Sequence, residues 1–558
     1  MPDGLKLPTY AMSFDEQRSH GFGTPVEDRN HQVSHMLPRR VIPIVFLPGI
    51  MGSNLRISSA QRQKELGKSN NRAWRPDDKG SAVWSLKDSA AERQLRLDPT
   101  TTAVDVYDRN GPADVSGDDR HDNIKSSLPY VSPMVADDPA GVADARTASQ
   151  KARARGWSEV FFSSYGRMLQ HLEARMNNFA FDAQGVGPWN DVVGIDPKVW
   201  GADACAPLKA LTRSEFHKAT DNRWFPVWAF GYNWLQPNGD SAVAIARRIN
   251  DLIDAYRKAK FDCDKVIVVT HSMGGIVGRA LVHPEFGNMK DKVLGIVHGA
   301  QPALGAAAAY RRMRAGFEDP GLVSARPMES MSAKVLGNYG TEVTAVLANS
   351  QGGLELLPSE EYGNGWLKVT HQGKLLDAWP KGGDPYEEIY KLRGTWYGLL
   401  KEAWINPSGY DEDKGGGSFG KTLRHLDKAK AFHRKLSGQY HDVTYAHYGV
   451  DAGHMSLGDV VWNIDKEIDA SGRWRDWQID RDSRQGRVDF KGIGAAIAGA
   501  NEPGDGTVPM RSSDDQMRSG RFQGIFRQVG YEHQASYADP NVLAATLYCL
   551  VRIAQHAK

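Results

Sequence analysis

Short apolar runs alternate with longer amphipathic segments along this chain, and the alternation predicts its secondary structure. The runs are rich in β-branched residues and bounded by turn residues, which is typical of strands buried on both faces of a sheet. Four of them are residues 41–47, 224–230, 266–269 and 293–297. A helix beginning near Asp240 or Ser241 separates the second run from the third. The order strand, helix, strand, helix predicts an α/β fold with a mostly parallel, doubly wound sheet.

Further elements precede and follow this block. A predicted helix from about Glu159 carries one apolar stripe, which core packing explains without any ligand. The stripe consists of Phe161, Tyr165, Met168, Leu169, Leu172 and Met176. Towards the end of the chain, residues 441–448 and 522–529 are predicted strands, and a final helix begins at Asp539 and Pro540.

The segments between these elements are predicted to be insertions around one core. The predicted divisions are an N-terminal polar arm (1–40), a first core part (41–305) with an insertion at about 56–155, a cap or lid insertion (306–440), and a last core part (441–558) with an insertion at about 449–500. Trp74 and Trp84 indicate that the first insertion is packed. In the cap, residues 386–404 form an amphipathic run in which Trp396 and Trp404 look exposed. A membrane-docking surface is one interpretation of that run, but core packing is the one we prefer.

Composition narrows the range of functions. The chain has 558 residues, of which 41% are hydrophobic and 24% charged, as in an ordinary soluble globular protein. Its formal net charge of +2 gives no argument for a nucleic-acid partner. Cys205, Cys263 and Cys549 are odd in number and far apart, so we expect core-packing cysteines and no disulfide framework.

No targeting segment is visible in the sequence. The chain does not open with a basic-then-apolar signal segment, and no stretch approaches the roughly 18 apolar residues of a membrane span. We therefore expect synthesis in the cytoplasm without a signal peptide, and export, if any, by a route that needs no cleavable signal.

Six aspartates crowd one glycine-containing loop of the first insertion. They are Asp105, Asp108, Asp114, Asp118, Asp119 and Asp122. Carboxylate oxygens suit calcium, but this spacing matches no EF-hand, so a solvated acidic loop is the preferred interpretation. A metal site stays open at this stage, and the sequence predicts no cofactor.

The run 266–269 leads directly into the most informative stretch of the chain, Thr270-His271-Ser272-Met273-Gly274-Gly275, which is followed by a predicted helix. A serine at the apex of a sharp strand-to-helix turn is the nucleophile elbow of an α/β-hydrolase. The helix N-terminus and the Met273 N–H can then stabilise an oxyanion. Gly274 fits the need for a small residue after the serine, whereas Thr270 stands where glycine is usual. A helix cap is the plain alternative.

The loop after the first strand, Pro48-Gly49-Ile50-Met51-Gly52-Ser53, is a candidate for the second half of the oxyanion hole. Glycines let its backbone approach a substrate carbonyl. Ile50 is the predicted donor, with Met51 next. An ordinary strand-to-loop turn is the alternative for this segment alone.

Serine needs a base, and the base needs an acid that fixes its tautomer. Ser272, Asp505 and His533 occur in the chain order of the hydrolase triad, with Asp505 between two glycines and His533 after the last predicted strand. We therefore predict Ser272 as nucleophile, His533 as base and Asp505 as acid. Glu532 is a fallback acid, and His271 is predicted to be a structural partner beside the elbow.

Five segments together resemble the lecithin:cholesterol acyltransferase-like and GPI inositol-deacylase-like lipases. They are VFLPGIMGSNL, VTHSMGG, GDGTVP, EHQA and the GYNW of residues 231–234. On this resemblance Ser272, Asp505 and His533 fall on the triad positions, and Ile50 and Met273 on the oxyanion positions. The disulfides and signal peptide of the acyltransferase members are not visible here.

The resemblance implies a serine esterase or lipase acting on glycerophospholipids at a membrane surface through an acyl-serine. Bacterial type VI secretion lipase effectors include members of the inositol-deacylase kind, which implies an antibacterial toxin that reaches a target cell's periplasm and meets an immunity protein and a secretion-apparatus partner. Two alternatives stay open: an acyltransferase that uses the same acyl-serine, and a non-catalytic hydrolase-fold binding protein.

Overall fold

A computed structural model describes residues 6–7, 21–22, 39–67, 71–77, 88–106, 148–177, 187–205, 207–317, 337–410, 417–466, 468 and 472–557. Most of the predicted N-terminal arm lies outside these residues, as do Trp84 and the loop aspartates from Asp108 to Asp122.

The strands are short, and most belong to one of two larger sheets. They are β1 (Lys6–Leu7), β2 (Gly21–Phe22), β3 (Arg40–Val41), β4 (Ile44–Leu47), β5 (Leu55–Ile57), β6 (Arg72–Trp74), β7 (Thr102–Val104), β8 (Arg223–Trp224), β9 (Val227–Ala229), β10 (Val266–His271), β11 (Val293–Gly299), β12 (Leu367–His371), β13 (Lys374–Trp379), β14 (Thr444–Gly449), β15 (Asp451–Ser456), β16 (Val460–Ile464), β17 (Arg481–Asp482), β18 (Arg487–Phe490), β19 (Ile493–Ile497), β20 (Glu502–Gly504) and β21 (Gly524–Gln528).

The α-helices vary from one turn to about six. They are α1 (Ala60–Glu65), α2 (Ala90–Arg96), α3 (Ala148–Ala154), α4 (Phe162–Met176), α5 (Arg213–Thr220), α6 (Asn238–Lys258), α7 (Met273–Val282), α8 (Ala307–Ala315), α9 (Gly340–Leu347), α10 (Gln351–Leu354), α11 (Glu402–Ile405), α12 (Gly417–Leu436), α13 (Met510–Ser513), α14 (Asp515–Arg518) and α15 (Pro540–Ala554).

The main sheet has the strand order β21-β14-β11-β10-β4-β9, and every neighbouring pair is parallel. The strands are buried on both faces, except at Arg527, because helices cover both faces. Val45 and Leu47 of β4 pack in the core that contains α6 and α7, whereas Ile44 and Phe46 pack in the core that contains α4 and α15. The predicted doubly wound α/β-hydrolase fold is therefore confirmed, with β10 in the middle of the sheet.

The first and second predicted strands are each interrupted by a proline. Pro43 and Pro226 lack the N–H that a continuous ladder needs, so each run splits into two strands. The first halves, β3 and β8, pair with each other, and the second halves, β4 and β9, join the main sheet.

A second sheet joins strands from two separate insertions. Its order is β13-β12-β16-β19-β18-β17, in which β12 and β13 come from the predicted cap and β16 to β19 from the predicted insertion at 449–500. The β12–β16 pair is parallel and the other pairs are antiparallel. Segments about 90 residues apart in sequence thus fold together, which local sequence patterns do not reveal.

Core packing, the preferred interpretation of residues 386–404, is confirmed for Trp396, and the exposed look of the two tryptophans is corrected. Gly394 adopts a φ of 76°, and the run contains only a π-turn at Tyr386–Tyr390 and the short α11. Trp396 is buried and its indole N–H donates to the carbonyl oxygen of Trp474 at 2.8 Å. Trp404 is half-buried, so this stretch packs mainly inside the protein.

The cysteine expectation holds for two of the three residues. Cys263 and Cys549 are free and buried, but Cys205 is free and exposed, which corrects the expectation that all three pack in the core.

Candidate active site

The strand-to-helix turn at Ser272 has the strained geometry of a nucleophile elbow. β10 ends at His271, α7 begins at Met273, and Ser272 between them adopts φ 53° and ψ −125°. A positive φ is costly for a residue with a side chain and persists where surrounding contacts enforce it. Here the Ser272 N–H donates to the carbonyl oxygen of Gly299 on β11 at 2.8 Å.

Two glycines let the loop after β4 lie against the elbow. A Cβ atom at Gly274 would lie 2.4 Å from the Leu47 carbonyl oxygen and 2.5 Å from that of Pro48. A Cβ atom at Gly49 would lie 3.0 Å from the Ser272 Cβ. The loop of residues 48–52, called the oxyanion loop below, is therefore packed directly on the serine.

Thr270 occupies the place where the elbow pattern usually has glycine. Its side chain is fully buried, and the space for it comes from Gly278, where a Cβ atom would lie 3.1 Å from the Thr270 Cγ2. The bulk of a threonine is thus accommodated one turn into α7.

The structure brings Ser272, His533 and Asp505 into one hydrogen-bonded row. The Ser272 Oγ lies 2.7 Å from the His533 Nε2, and the His533 Nδ1 lies 2.7 Å from the Asp505 Oδ2. Because a carboxylate only accepts, Nδ1 carries the proton and Nε2 presents a lone pair to the serine hydroxyl. This is the arrangement in which the imidazole can remove the serine proton.

Asp505 is nearly fully buried yet stays ionised. Burial favours a higher pKa, but the facing His533 and hydrogen bonds from backbone N–H groups outweigh it and hold the pKa of Asp505 below its ordinary value. Those backbone donors are Thr507 at 3.1 Å and Val508 at 2.8 Å, both bonded to the Asp505 Oδ1.

A short segment on β15 fixes the loops that carry the acid and the base. The Asp451 Oδ2 accepts from the Gly530 N–H at 2.8 Å and lies 2.9 Å from the His454 Nδ1. The Gly506 N–H donates to the His454 carbonyl oxygen at 3.0 Å. Sequence reasoning did not identify Asp451, because nothing local links it to residues 50 to 80 positions away.

The predicted oxyanion donors lie on the two segments that meet at the serine. Within the described part of the chain, the N–H groups of Ile50 and Met273 donate to no other protein group. The oxyanion loop is anchored from outside: the Trp74 indole N–H donates to the Met51 carbonyl oxygen at 2.6 Å, and the Tyr232 hydroxyl to that of Pro48 at 2.8 Å. Tyr232 belongs to the GYNW segment, so that segment supports the loop.

The two remaining candidates, His271 and Glu532, differ from His533 and Asp505 in their surroundings. His271 is fully buried, and burial together with the neighbouring His533 lowers its pKa to about 3. The imidazole is therefore neutral at physiological pH. Asp505, and not Glu532, contacts the His533 Nδ1.

The cap reaches the elbow. A Cβ atom at Gly352 of α10 would lie 2.3 Å from the Gln236 carbonyl oxygen and 3.2 Å from the Met273 Cε. The Ser350 hydroxyl donates to the Leu235 carbonyl oxygen at 2.8 Å. Ser272 is only 5% exposed.

Two kinds of feature are absent from the described residues. No group of three or more His, Cys, Asp or Glu side chains in this part of the chain is arranged to hold a metal ion. Asp105, the described member of the aspartate loop, pairs with Arg75 at 2.8 Å. No helix among the described residues is long and apolar enough to cross a membrane.

Comparison with known proteins gives a match to a protein family and matches to solved structures. Residues 238–318, which include the elbow, match the PGAP1-like alpha/beta domain family. A chain in the crystal structure of the Tle4–Tli4 complex is 29% identical, with a TM-score of 0.74, and the match covers 93% of this chain and 99% of that one. No curated protein sequence matches the chain.

A second solved structure, the phospholipase PlaB from Legionella pneumophila, is 14% identical over 49% of this chain and 72% of that one. Its TM-score of 0.15 is too low to add to the fold assignment. The family match and the full-length match confirm the resemblance predicted from the sequence. The chain has an α/β-hydrolase fold, and its residues 238–318 are similar to the PGAP1-like alpha/beta domain.

Proposed function

We propose that this protein is a serine phospholipase that hydrolyses a carboxylic ester bond of glycerophospholipids. The single observation that carries the proposal is the row of hydrogen bonds from the Ser272 Oγ through His533 to Asp505, with 2.7 Å at each step. A strained serine beside two unpaired backbone donors is what acyl transfer to a hydroxyl requires.

In the proposed reaction the Ser272 Oγ attacks the ester carbonyl carbon while its proton passes to the His533 Nε2. The carbonyl oxygen becomes an oxyanion, which the N–H groups of Ile50 and Met273 stabilise. Collapse of this intermediate breaks the ester C–O bond, and His533 gives its proton to the departing alkoxide. Water, activated by His533, then releases the fatty acid and regenerates Ser272.

Asp505 has two tasks in this scheme. It holds the His533 ring with its proton on Nδ1, and its charge stabilises the imidazolium that forms during attack. The lowered pKa keeps it ionised while the enzyme works. The complete triad supports catalysis over a non-catalytic binding role, and an alcohol in place of water at the last step would make the same site an acyltransferase.

The test is product analysis by mass spectrometry with mixed bacterial phospholipids. The wild type is expected to release free fatty acid and lysophospholipid, and Ser272→Ala, which removes only one oxygen atom, is expected to release neither. The position of the remaining acyl chain identifies the bond that is cut. Equal turnover by the two proteins would refute Ser272 as nucleophile. Hydrolysis of a short nitrophenyl ester without lipid turnover would keep the triad and exclude phospholipids as substrates.

The match over nearly the full length of a chain from the Tle4–Tli4 complex supports a related biological role. We infer that the protein acts as a type VI secretion effector in the periplasm of a target bacterium and that a cognate immunity protein binds it. Expression directed to the periplasm of a bacterium should stop growth for the wild type but not for Ser272→Ala at equal protein level. Unimpaired growth with active enzyme in that compartment would refute the toxin role.

A further inference from the structure

The side chain of Tyr165 lies between the oxyanion loop and His271. Its hydroxyl oxygen is 3.3 Å from the backbone nitrogen of Gly49 and 2.9 Å from the His271 Nδ1. On the far side of the same ring, the His271 Nε2 is 2.9 Å from the backbone carbonyl oxygen of His533. Tyr165 and His271 are both essentially fully buried. Three hydrogen bonds therefore connect the oxyanion loop to the backbone of His533, the proposed base.

The direction of each bond follows from the chemistry of its partners. The His533 carbonyl oxygen can only accept, so the His271 Nε2 carries the proton. Because burial keeps this imidazole neutral, its Nδ1 has a lone pair and must accept from the Tyr165 O–H. The Tyr165 oxygen then accepts from the Gly49 N–H. Every donor in this row of three hydrogen bonds has one acceptor, so one arrangement of protons satisfies all the groups.

The first turn of helix α4, which carries Tyr165, is itself held in place by hydrogen bonds. The residue before Tyr165, Ser164, accepts from the side-chain amide of Gln534 at 2.8 Å, and Gln534 follows His533 directly. The first two N–H groups of α4, at Phe162 and Ser163, donate to the Asp77 carboxylate at 2.6 and 2.9 Å. One turn of α4 thus holds the oxyanion loop on one side and the His533 loop on the other.

We propose that Tyr165 and His271 are positioning residues for catalysis, which set the distance between the oxyanion loop and His533. The Ile50 N–H must reach the same substrate carbonyl that Ser272 attacks while His533 stays in line with the serine. Both requirements hold to within a fraction of an ångström in an efficient site, and a displacement of about 1 Å costs on the order of a hundredfold in rate. This inference rests on the serine-esterase mechanism proposed above.

A purely structural role predicts a different outcome. Buried tyrosine and histidine side chains need hydrogen-bond partners in any protein, and losing one partner lowers stability. In that case the folded fraction of a variant would turn over substrate as fast as the wild type. A positioning role predicts a lower kcat for the folded protein, with KM little changed because substrate binding away from the carbonyl is intact.

The experiment measures kcat and KM on a soluble nitrophenyl ester for Tyr165→Phe, His271→Asn and the double variant, with folding and Tm determined for each. Tyr165→Phe removes the hydroxyl that joins Gly49 to His271. Asparagine at 271 places an oxygen near the former Nδ1 but has no group that reaches His533. Tyr548→Phe is the matched control, since Tyr548 is equally buried and its hydroxyl donates to a backbone carbonyl, that of Lys209, at 2.7 Å.

We expect each single variant to lose about tenfold to a hundredfold in kcat, the control to lose less than twofold, and the double variant to be no slower than the slower single variant. Such non-additivity is expected when two side chains act through the same row of hydrogen bonds. Wild-type kcat in either folded single variant, or losses that multiply in the double variant, overturns the proposal. If Tyr165→Phe does not fold, His271→Asn and His271→Gln decide in its place, since each keeps one of the two His271 contacts and both should be slow. An inactive wild type would instead count against the esterase function itself.

Discussion

Replacing Asp505 with asparagine tests the assignment of acid and base with almost no change of shape. The two backbone N–H groups of Thr507 and Val508 both donate to the Oδ1 of Asp505. Being fixed donors, they select the amide oxygen of an asparagine for that side of the side chain. The amide NH₂ then faces the His533 Nδ1, which is the position of the Oδ2 in the wild type.

An NH₂ group at this point reverses the tautomer of the base. His533 must present a lone pair at Nδ1, so its proton moves to Nε2, directly opposite the Ser272 Oγ. The serine proton then has no acceptor, and the charge that stabilised the imidazolium is also lost. Loss of the triad acid in this manner costs about four orders of magnitude in kcat, or about 5 kcal/mol of transition-state stabilisation.

The assay is hydrolysis of a soluble nitrophenyl ester by Asp505→Asn, with circular dichroism to verify folding. Asp489→Asn is the matched control, because Asp489 lies on β18 and pairs with Arg487 at a partly exposed position; its kcat should equal that of the wild type. A folded Asp505→Asn variant with more than about a tenth of wild-type kcat would refute the tautomer reasoning. Another carboxylate would then have to orient His533.

Two further predictions concern stability and packing. Burial raises the pKa of Glu355 to about 7 from an ordinary 4.5. Between these two pH values the unfolded protein has released the Glu355 proton and the folded protein still holds it, so the free energy of unfolding should fall as pH rises from about 4.5 to 7 and stay level above. The expected loss is roughly 2–4 kcal/mol. Thermal unfolding of Glu355→Gln should lack this pH dependence of stability. The variant should fold, since the Gln351 amide that donates to Glu355 can turn to accept. An unchanged pH dependence would exclude Glu355 as its source. Gly274→Ala should lose about 1–3 kcal/mol of stability and most of its kcat, because the new Cβ meets the carbonyl oxygens behind the oxyanion loop. Gly499→Ala, with no atom near its Cβ, is the control, and equal activity of the two variants would contradict the close contact at the elbow.

The elements that bring the candidate triad together could be predicted from the sequence because the necessary signals are local. A β-branched run followed by Thr270-His271-Ser272-Met273-Gly274 implies a buried parallel strand, a sharp turn and a helix without reference to any other part of the chain. Asp505 and His533 were found by chain order and by their turn residues. Each of the three side chains is placed by the strand or loop that ends beside it, so recognising those elements was enough to predict that the three would lie together.

Residues that act through distant contacts gave no such signal. Tyr165 belongs to an apolar helical stripe, and its ring does pack in the core; only its hydroxyl, which reaches the Gly49 N–H, has another use. Trp396 lies in a run for which helical spacing left both core packing and an exposed surface open; Gly394 has a positive φ two residues earlier, and the indole is buried. Hydrophobic periodicity reports which face of an element is buried, and it carries no information on where a polar atom at the end of a buried side chain finds its partner.

Thr270 illustrates how a departure from a motif is resolved by structure. The requirement behind the motif is free volume between the end of β10 and the first turns of α7, and glycine before the serine is one way to provide it. Here the volume comes from Gly278, on the opposite side of the same contact. The Thr270 hydroxyl also lies 3.4 Å from the His298 Nδ1, which ties β10 to β11 below the serine. The pair of residues at 270 and 278, and not the residue at 270 alone, is therefore what the elbow constrains, and a search for this motif should accept a larger residue at the first position when glycine stands eight residues later.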